Sequence, residues 1–138
     1  RRILLCASDT ESPAHERAVP FLHGCAAGRE LFCIAWVTAM SYLRIATHPA
    51  IFSRPLTATE AMDNLDALLT LPHCRAIGED AGFWEPWRDV TGALPARGNA
   101  APDAHPACGL RQHGVRRLYT RDRDFRRFDF IEAIDPLV

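Results

Sequence analysis

The stretch DAHPACGLRQHGVRRLYT, residues 103–120, decides the class of the fold. Asp103 stands where a carboxylate offsets the positive end of a helix dipole. His113-Gly114 closes that helix, because glycine most readily takes the left-handed cap conformation. An apolar strand then follows within a few residues. Helix, glycine stop and strand in such short order is the unit of an α/β fold in which helices cover a parallel sheet.

Working outward, the same alternation runs along the chain. Strands are expected at 3–6, 31–35, 75–77, 117–120 and 131–134, and helices at 13–26, 37–46, 59–71, 81–94 and 103–113. Thr57 precedes Glu60 by three residues, the spacing of a capping box, and Ala61, Leu65, Leu68 and Leu69 then recur at helical intervals. Pro20, Pro86 and Pro106 each fall inside an expected helix, where proline removes a backbone donor unless it lies in the first turn. Pro106 is expected in that first turn.

The chain has 138 residues, 48% hydrophobic and 24% charged, which suits one compact domain with a buried core. No apolar run approaches the roughly 18 residues of a membrane span, and the N-terminal residues lack the order of a signal peptide, so the expectation is a cytoplasmic protein. Cys6, Cys25, Cys33, Cys74 and Cys108 are odd in number and contain no C-x-x-C pair. That argues against a disulfide framework and a zinc site, and leaves them as small core residues. No internal repeat and no glycine-rich phosphate loop is present, which disfavours a small-molecule enzyme of the nucleotide-binding kind.

A formal net charge of −1 announces no polyanion partner, so nucleic acid must be met by local clustering. Such a cluster exists. All 16 basic residues are arginine, and Arg111, Arg116, Arg117, Arg121, Arg123, Arg126 and Arg127 fall within a short span. The competing reading is a solvated face paired with Asp122, Asp124 and Asp129.

Ligands of open parallel sheets sit outside the carboxyl ends of the strands. Two acidic sites meet that description: Asp122 and Asp124 directly after the strand at 117–120, and Asp103 at a helix start after the turn-rich 97–102 segment. A helix-turn-strand unit joins them, which makes convergence on one pocket natural. Convergent carboxylates suit Mg²⁺ or Mn²⁺, hard cations that take oxygen ligands, and such ions serve phosphodiester hydrolysis. The plainer alternatives are a first-turn helix residue for Asp103 and turn caps for Asp122 and Asp124.

Longer motifs carry a resemblance. Ser41-Tyr42-Leu43-Arg44-Ile45-Ala46-Thr47-His48-Pro49, followed by Phe52 and Arg54-Pro55-Leu56, resembles the second-helix motif of PIN domains of the VapC toxin type. Arg97-Gly98-Asn99 with Pro102-Asp103-Ala104-His105, Thr120-Arg121-Asp122-Arg123-Asp124-Phe125-Arg126-Arg127-Phe128, and Asp135-Pro136-Leu137 resemble three further family segments in the right order. The resemblance implies a three-layer α/β/α PIN-like domain over 1–138 with a parallel sheet of about five strands. It also implies a Mg²⁺- (or Mn²⁺-) dependent endoribonuclease of a toxin-antitoxin system. Asp103, Asp122 and Asp124 take the catalytic and metal-ligand positions by that match. Arg44, Arg121 and Arg123 are the candidate substrate contacts, with a salt bridge as the other role open to Arg44. Candidate partners are RNA, a VapB-type antitoxin and a second copy of the chain, with no membrane.

Two departures from the family pattern shape the expected activity. The aspartate that ends the family's first strand would fall immediately before Arg1, and Tyr42 stands where many relatives carry glutamate. Asp9 and Glu60 are the substitutes considered, without a motif to support either. The expectation is therefore an endoribonuclease weakened by loss of the first acidic motif, the alternative being a non-catalytic PIN-like protein that binds an antitoxin or RNA. Residues 3–6 are expected to fill the first-strand slot, although the family alignment places them in the short helix that follows it.

Overall fold

The computed structural model describes residues 2–98 and 101–138, with the side chain of Pro102 left aside, so Asn99 and Ala100 of the 97–105 motif lie outside the described residues. In chain order the elements are α1 (Arg2–Ser8), α2 (His15–Ala27), β1 (Phe32–Ala35), α3 (Trp36–Ala46), α4 (Ala58–Leu69) and β2 (Cys74–Ile77). Then come α5 (Trp84–Ala93), α6 (Ala101–Gln112), β3 (Arg117–Tyr119), a 3₁₀ helix (Arg123–Arg127) and β4 (Glu132–Ile134). The fold is α/β, as expected. The chain divides into two compact units, one running to Ala76 and including Pro136–Val138, the other Ile77–Asp135.

In the first unit β1 pairs with β2. Ile34, Ala39, Tyr42, Ala46, Ala61, Leu65 and Cys74 form a core between the strands, α3 and α4. Helix α4 starts at the expected capping box: Glu60 N–H donates to Thr57 Oγ1 at 3.1 Å and Thr57 N–H to Glu60 Oε1 at 3.0 Å. A second core joins Ile3, Ala14, Ala18 and Leu137. Arg17 Nη1 donates to the Leu137 carbonyl at 3.0 Å, which ties the C-terminal tail to α2.

Residues 3–6 are helical, which corrects the strand expected there. A run of four apolar residues is compatible with either form, and tertiary contacts decide. Ile3, Cys6 and Ala7, at helical spacing, face the core around Ala18. Leu4 and Leu5 pack on the core around Tyr42, and Ser8, one turn on from Leu4, meets the Tyr42 hydroxyl at 2.6 Å. Only a helix sends successive side chains to two cores in this way; a strand would alternate them across one sheet.

In the second unit β3 and β4 are parallel, with Arg117 opposite Glu132, Leu118 opposite Ala133 and Tyr119 opposite Ile134. The single sheet of about five strands is not seen among the described residues, whose strands form two pairs. Ala104, Ala107 and Cys108, spaced as one helix face, are almost completely buried with Val90, Leu110, Phe128 and Ile131. Small side chains let α6 approach these large neighbours closely. The helix ends as the sequence indicates. Gly114 has φ +69°, its N–H donates to the Arg111 carbonyl at 3.1 Å, and Val115 N–H reaches back to Leu110 at 2.9 Å, the Schellman pattern.

The prolines divide differently from expectation. Pro86 is the third residue of α5, inside the first turn, whereas Pro106 is the sixth residue of α6 and Pro20 lies within α2. Burial of the α6 face carries that helix through the missing backbone bond. All five cysteines are free, with Cys74 and Cys108 buried and the others half-buried. Cys74 and Cys108 are core residues, and burial pushes the thiols of Cys25, Cys33, Cys74 and Cys108 up, which disfavours the thiolate.

Candidate metal centre

Three carboxylates meet in the second unit. Asp103 projects from the first turn of α6 and Asp122 follows the end of β3. Asp124 begins the next turn, and one oxygen from each of the three lies within 4.8 Å of the others. The local chain explains the placement. Asp122 N–H donates to Thr120 Oγ1 at 3.1 Å, and Asp122 Oδ1 accepts from Asp124 N–H at 2.9 Å, so Asp122 caps the 3₁₀ helix. The turn-cap reading of Asp122 is therefore also true of the structure, and that cap brings Asp124 round beside Asp103. Asp103 and Asp122 are half-buried and Asp124 is exposed.

Arg127, named from sequence only as one of the basic cluster, lies against this centre through a contact the sequence does not indicate. Its Nη2 lies 3.6 Å from Asp103 Oδ2, and its guanidinium stacks 4.9 Å from the centre of the buried Phe128 ring. The contact joins residues far apart in the chain, which local spacing cannot reveal. The other expected substrate contacts separate. Arg121 pairs with Asp135 at 3.4 Å, while Arg123 is exposed with no ion-pair partner among the described residues, as are Arg116 and Arg126. Arg117 pairs with Glu132 at 3.9 Å, and Arg111 stacks 5.0 Å from the Phe130 ring. Arg44 is exposed on α3 in the first unit, and its side chain makes no ion pair with the described residues.

The substitutes considered for the family's other acids are engaged locally. Asp9 Oδ1 accepts from Glu11 N–H at 3.0 Å, and Glu60 closes the capping box. Tyr42 is buried at 1% exposure, its hydroxyl accepting from Asn64 Nδ2 at 3.0 Å while sharing a hydrogen bond with Ser8.

The loop leading from β2 to α5 is held by α6 and the residue that follows it. Gln112 Nε2 donates to the carbonyls of Asp80 and Ala81, both at 3.0 Å, and Gln112 Oε1 accepts from Asp80 N–H at 2.9 Å. His113 Nε2 donates to the Gly78 carbonyl at 2.7 Å, and His105 pairs with Glu79. The Glu79 carboxyl is held below the usual range, first by its own backbone N–H and then by His105.

A helix start and a strand end here deliver three convergent carboxylates in an α/β protein, an all-oxygen set of the kind that hard cations accept. Comparison with known proteins gives the family. Ribonuclease VapC48 of Mycobacterium tuberculosis is 37% identical over 134 residues, 97% of this chain and 92% of its own length. Ribonucleases VapC31 and VapC37 of the same organism are 28% and 25% identical over 97% of the chain. No protein-family model matches the chain. The chain belongs to the VapC ribonuclease family.

Proposed function

We propose that the chain is a metal-dependent endoribonuclease toxin of a VapBC-type system, with Asp103, Asp122 and Asp124 holding the ion. The observation that carries this is the meeting of three carboxylate oxygens within 4.8 Å of one another. An all-oxygen set of that size suits Mg²⁺ or Mn²⁺, which keep several waters and accept few protein ligands. When bound, such an ion supplies Lewis acidity to the phosphodiester and lowers the pKa of an attacking water.

The chain's own residues then position the RNA. Arg123, with Arg116 and Arg126, offers exposed cations for phosphates, while Arg121 is steadied by Asp135. Tyr42 supplies no carboxylate, so the ion rests on the three aspartates, and cleavage is expected to be weaker than in relatives with a glutamate there. The proposed partners are RNA, a VapB-type antitoxin and a second copy of the chain, and the proposed compartment is the cytoplasm. No helix among the described residues is long and apolar enough to cross a membrane. No observation favours the non-catalytic alternative.

The test is calorimetry of Mn²⁺ binding to the chain and to Asp103→Ala, followed by cleavage of a structured RNA by both. Binding and cleavage by the parent, lost together in the variant, are expected. Cleavage that survives both Asp103→Ala and chelation would overturn the proposal.

A further inference from the structure

Arg127 raises a question that the three acids alone do not. Carboxylates packed within 4.8 Å repel one another, and in a site awaiting a cation something must offset that repulsion. The guanidinium of Arg127 is placed to do so. It lies 3.6 Å from Asp103 on one side and over the Phe128 ring on the other, and Phe128 is 1% exposed and cannot move aside without opening the core. The arginine and Asp124 share one short 3₁₀ helix, so the element that carries one ligand also carries the counter-charge.

Resting on the metal reading above, we propose that Arg127 is the resident counter-ion of the Asp103, Asp122 and Asp124 centre, and that a divalent ion must displace its guanidinium from Asp103 in order to bind. Two consequences follow from charge alone. The carboxylates stay assembled without metal because a cation is already present. The divalent ion binds less tightly than three acids would otherwise allow, because it meets a positive charge and takes over a carboxylate oxygen already engaged. The half-exposed setting, 36% for the Arg127 side chain and 26% for Asp103, keeps the effect moderate, since solvent screens it. Arg127 acts here through Asp103 and is a positioning residue.

Calorimetry with Mn²⁺ alone, without RNA, separates this from a purely structural role. Four chains are compared: the parent, Arg127→Gln, Arg127→Lys and Asp103→Ala, with melting in chelator as a second readout. Arg127→Gln is expected to bind Mn²⁺ about five- to tenfold more tightly, the scale on which one screened unit charge acts at such distances. It should also melt lower than the parent in chelator, because its acids lack their cation, and recover with Mn²⁺. Arg127→Lys, which keeps the charge, should stay within about twofold of the parent in Mn²⁺ affinity. Binding by Arg127→Gln with none by the parent would support the same conclusion more strongly. If the parent binds Mn²⁺, Asp103→Ala does not, and Arg127→Gln binds no better than the parent, the counter-ion role is wrong while the metal site stands. If neither the parent nor a folded Arg127→Gln takes up Mn²⁺, both fail together.

Discussion

The hydroxyl of Tyr42 receives a hydrogen bond from Asn64 Nδ2 at 3.0 Å and meets Ser8 Oγ at 2.6 Å, joining α1, α3 and α4 through one buried side chain. Where the family pattern has an acid, this chain has a phenol whose ring fills a core and whose oxygen is satisfied. Tyr42→Phe keeps the ring and leaves Ser8 and Asn64 without that partner, at an expected cost of about 1 kcal/mol. Tyr42→Ala opens a cavity and should cost about 3–5 kcal/mol. Urea unfolding of the two variants beside the parent measures both, and a neutral Tyr42→Phe would show that the hydroxyl network adds nothing.

Ion binding should appear as thermal stabilisation. With Mn²⁺ at 100 times its dissociation constant, the parent gains about 2.7 kcal/mol. Asp103→Ala should gain close to nothing under the same conditions, since one of three matched ligands is gone. Melting curves with and without Mn²⁺ settle it, and equal gains would remove Asp103 from the ligand set.

The capping box predicts a pH dependence. The Glu60 carboxyl is held below its ordinary range, first by the Thr57 backbone N–H and then by the Thr57 side chain. A carboxyl with a depressed folded pKa contributes stability that is present above the unfolded value and lost as pH falls through the folded one. Glu60→Gln should therefore be less stable than the parent at neutral pH, with the difference closing below about pH 4. Thr57→Ala should cost about 1 kcal/mol at neutral pH. A Glu60→Gln difference that persists unchanged into acid would contradict the electrostatic account.

Gly114 sits at φ +69° with the two bonds of a Schellman cap around it, and nothing lies within 4 Å of where a Cβ would point. The obstacle to a side chain is therefore backbone strain and not a clash. Gly114→Ala is expected to lose about 1–2 kcal/mol. Chemical denaturation tests this, and an unchanged midpoint would mean that the cap relaxes freely.

RNA binding should weaken as salt rises, by a slope of about 0.7 per neutralised phosphate for a single strand. Arg123→Ala, which removes an exposed cation with no ion-pair partner among the described residues, should reduce that slope by about one such step. Arg121→Ala should reduce it less, because Arg121 is partly spent on Asp135 at 3.4 Å. Affinities at several salt concentrations decide, and a flat dependence in the parent would leave the arginines as a solvated face.

Much of this protein was legible in residue order because local rules govern it. The Thr57 and Glu60 spacing dictates a helix start wherever the chain goes, and the αL preference of Gly114 dictates a helix stop, so five helices and four strands fall near their expected places. Asp103, Asp122 and Asp124 could be singled out as well, since a helix start and a strand end joined by a short connection have few ways to separate. What residue order left open was decided by contacts between distant segments. Ile3, Leu4, Leu5 and Cys6, expected as a strand, form a helix because two cores claim alternate faces of the turn. Pro106 could be carried into the middle of α6 only because Ala104, Ala107 and Cys108 bury that helix against Phe128. The pairing of Arg127 with Asp103 is set by packing of the 3₁₀ helix on α6, and no local spacing encodes a charge pair made across the fold.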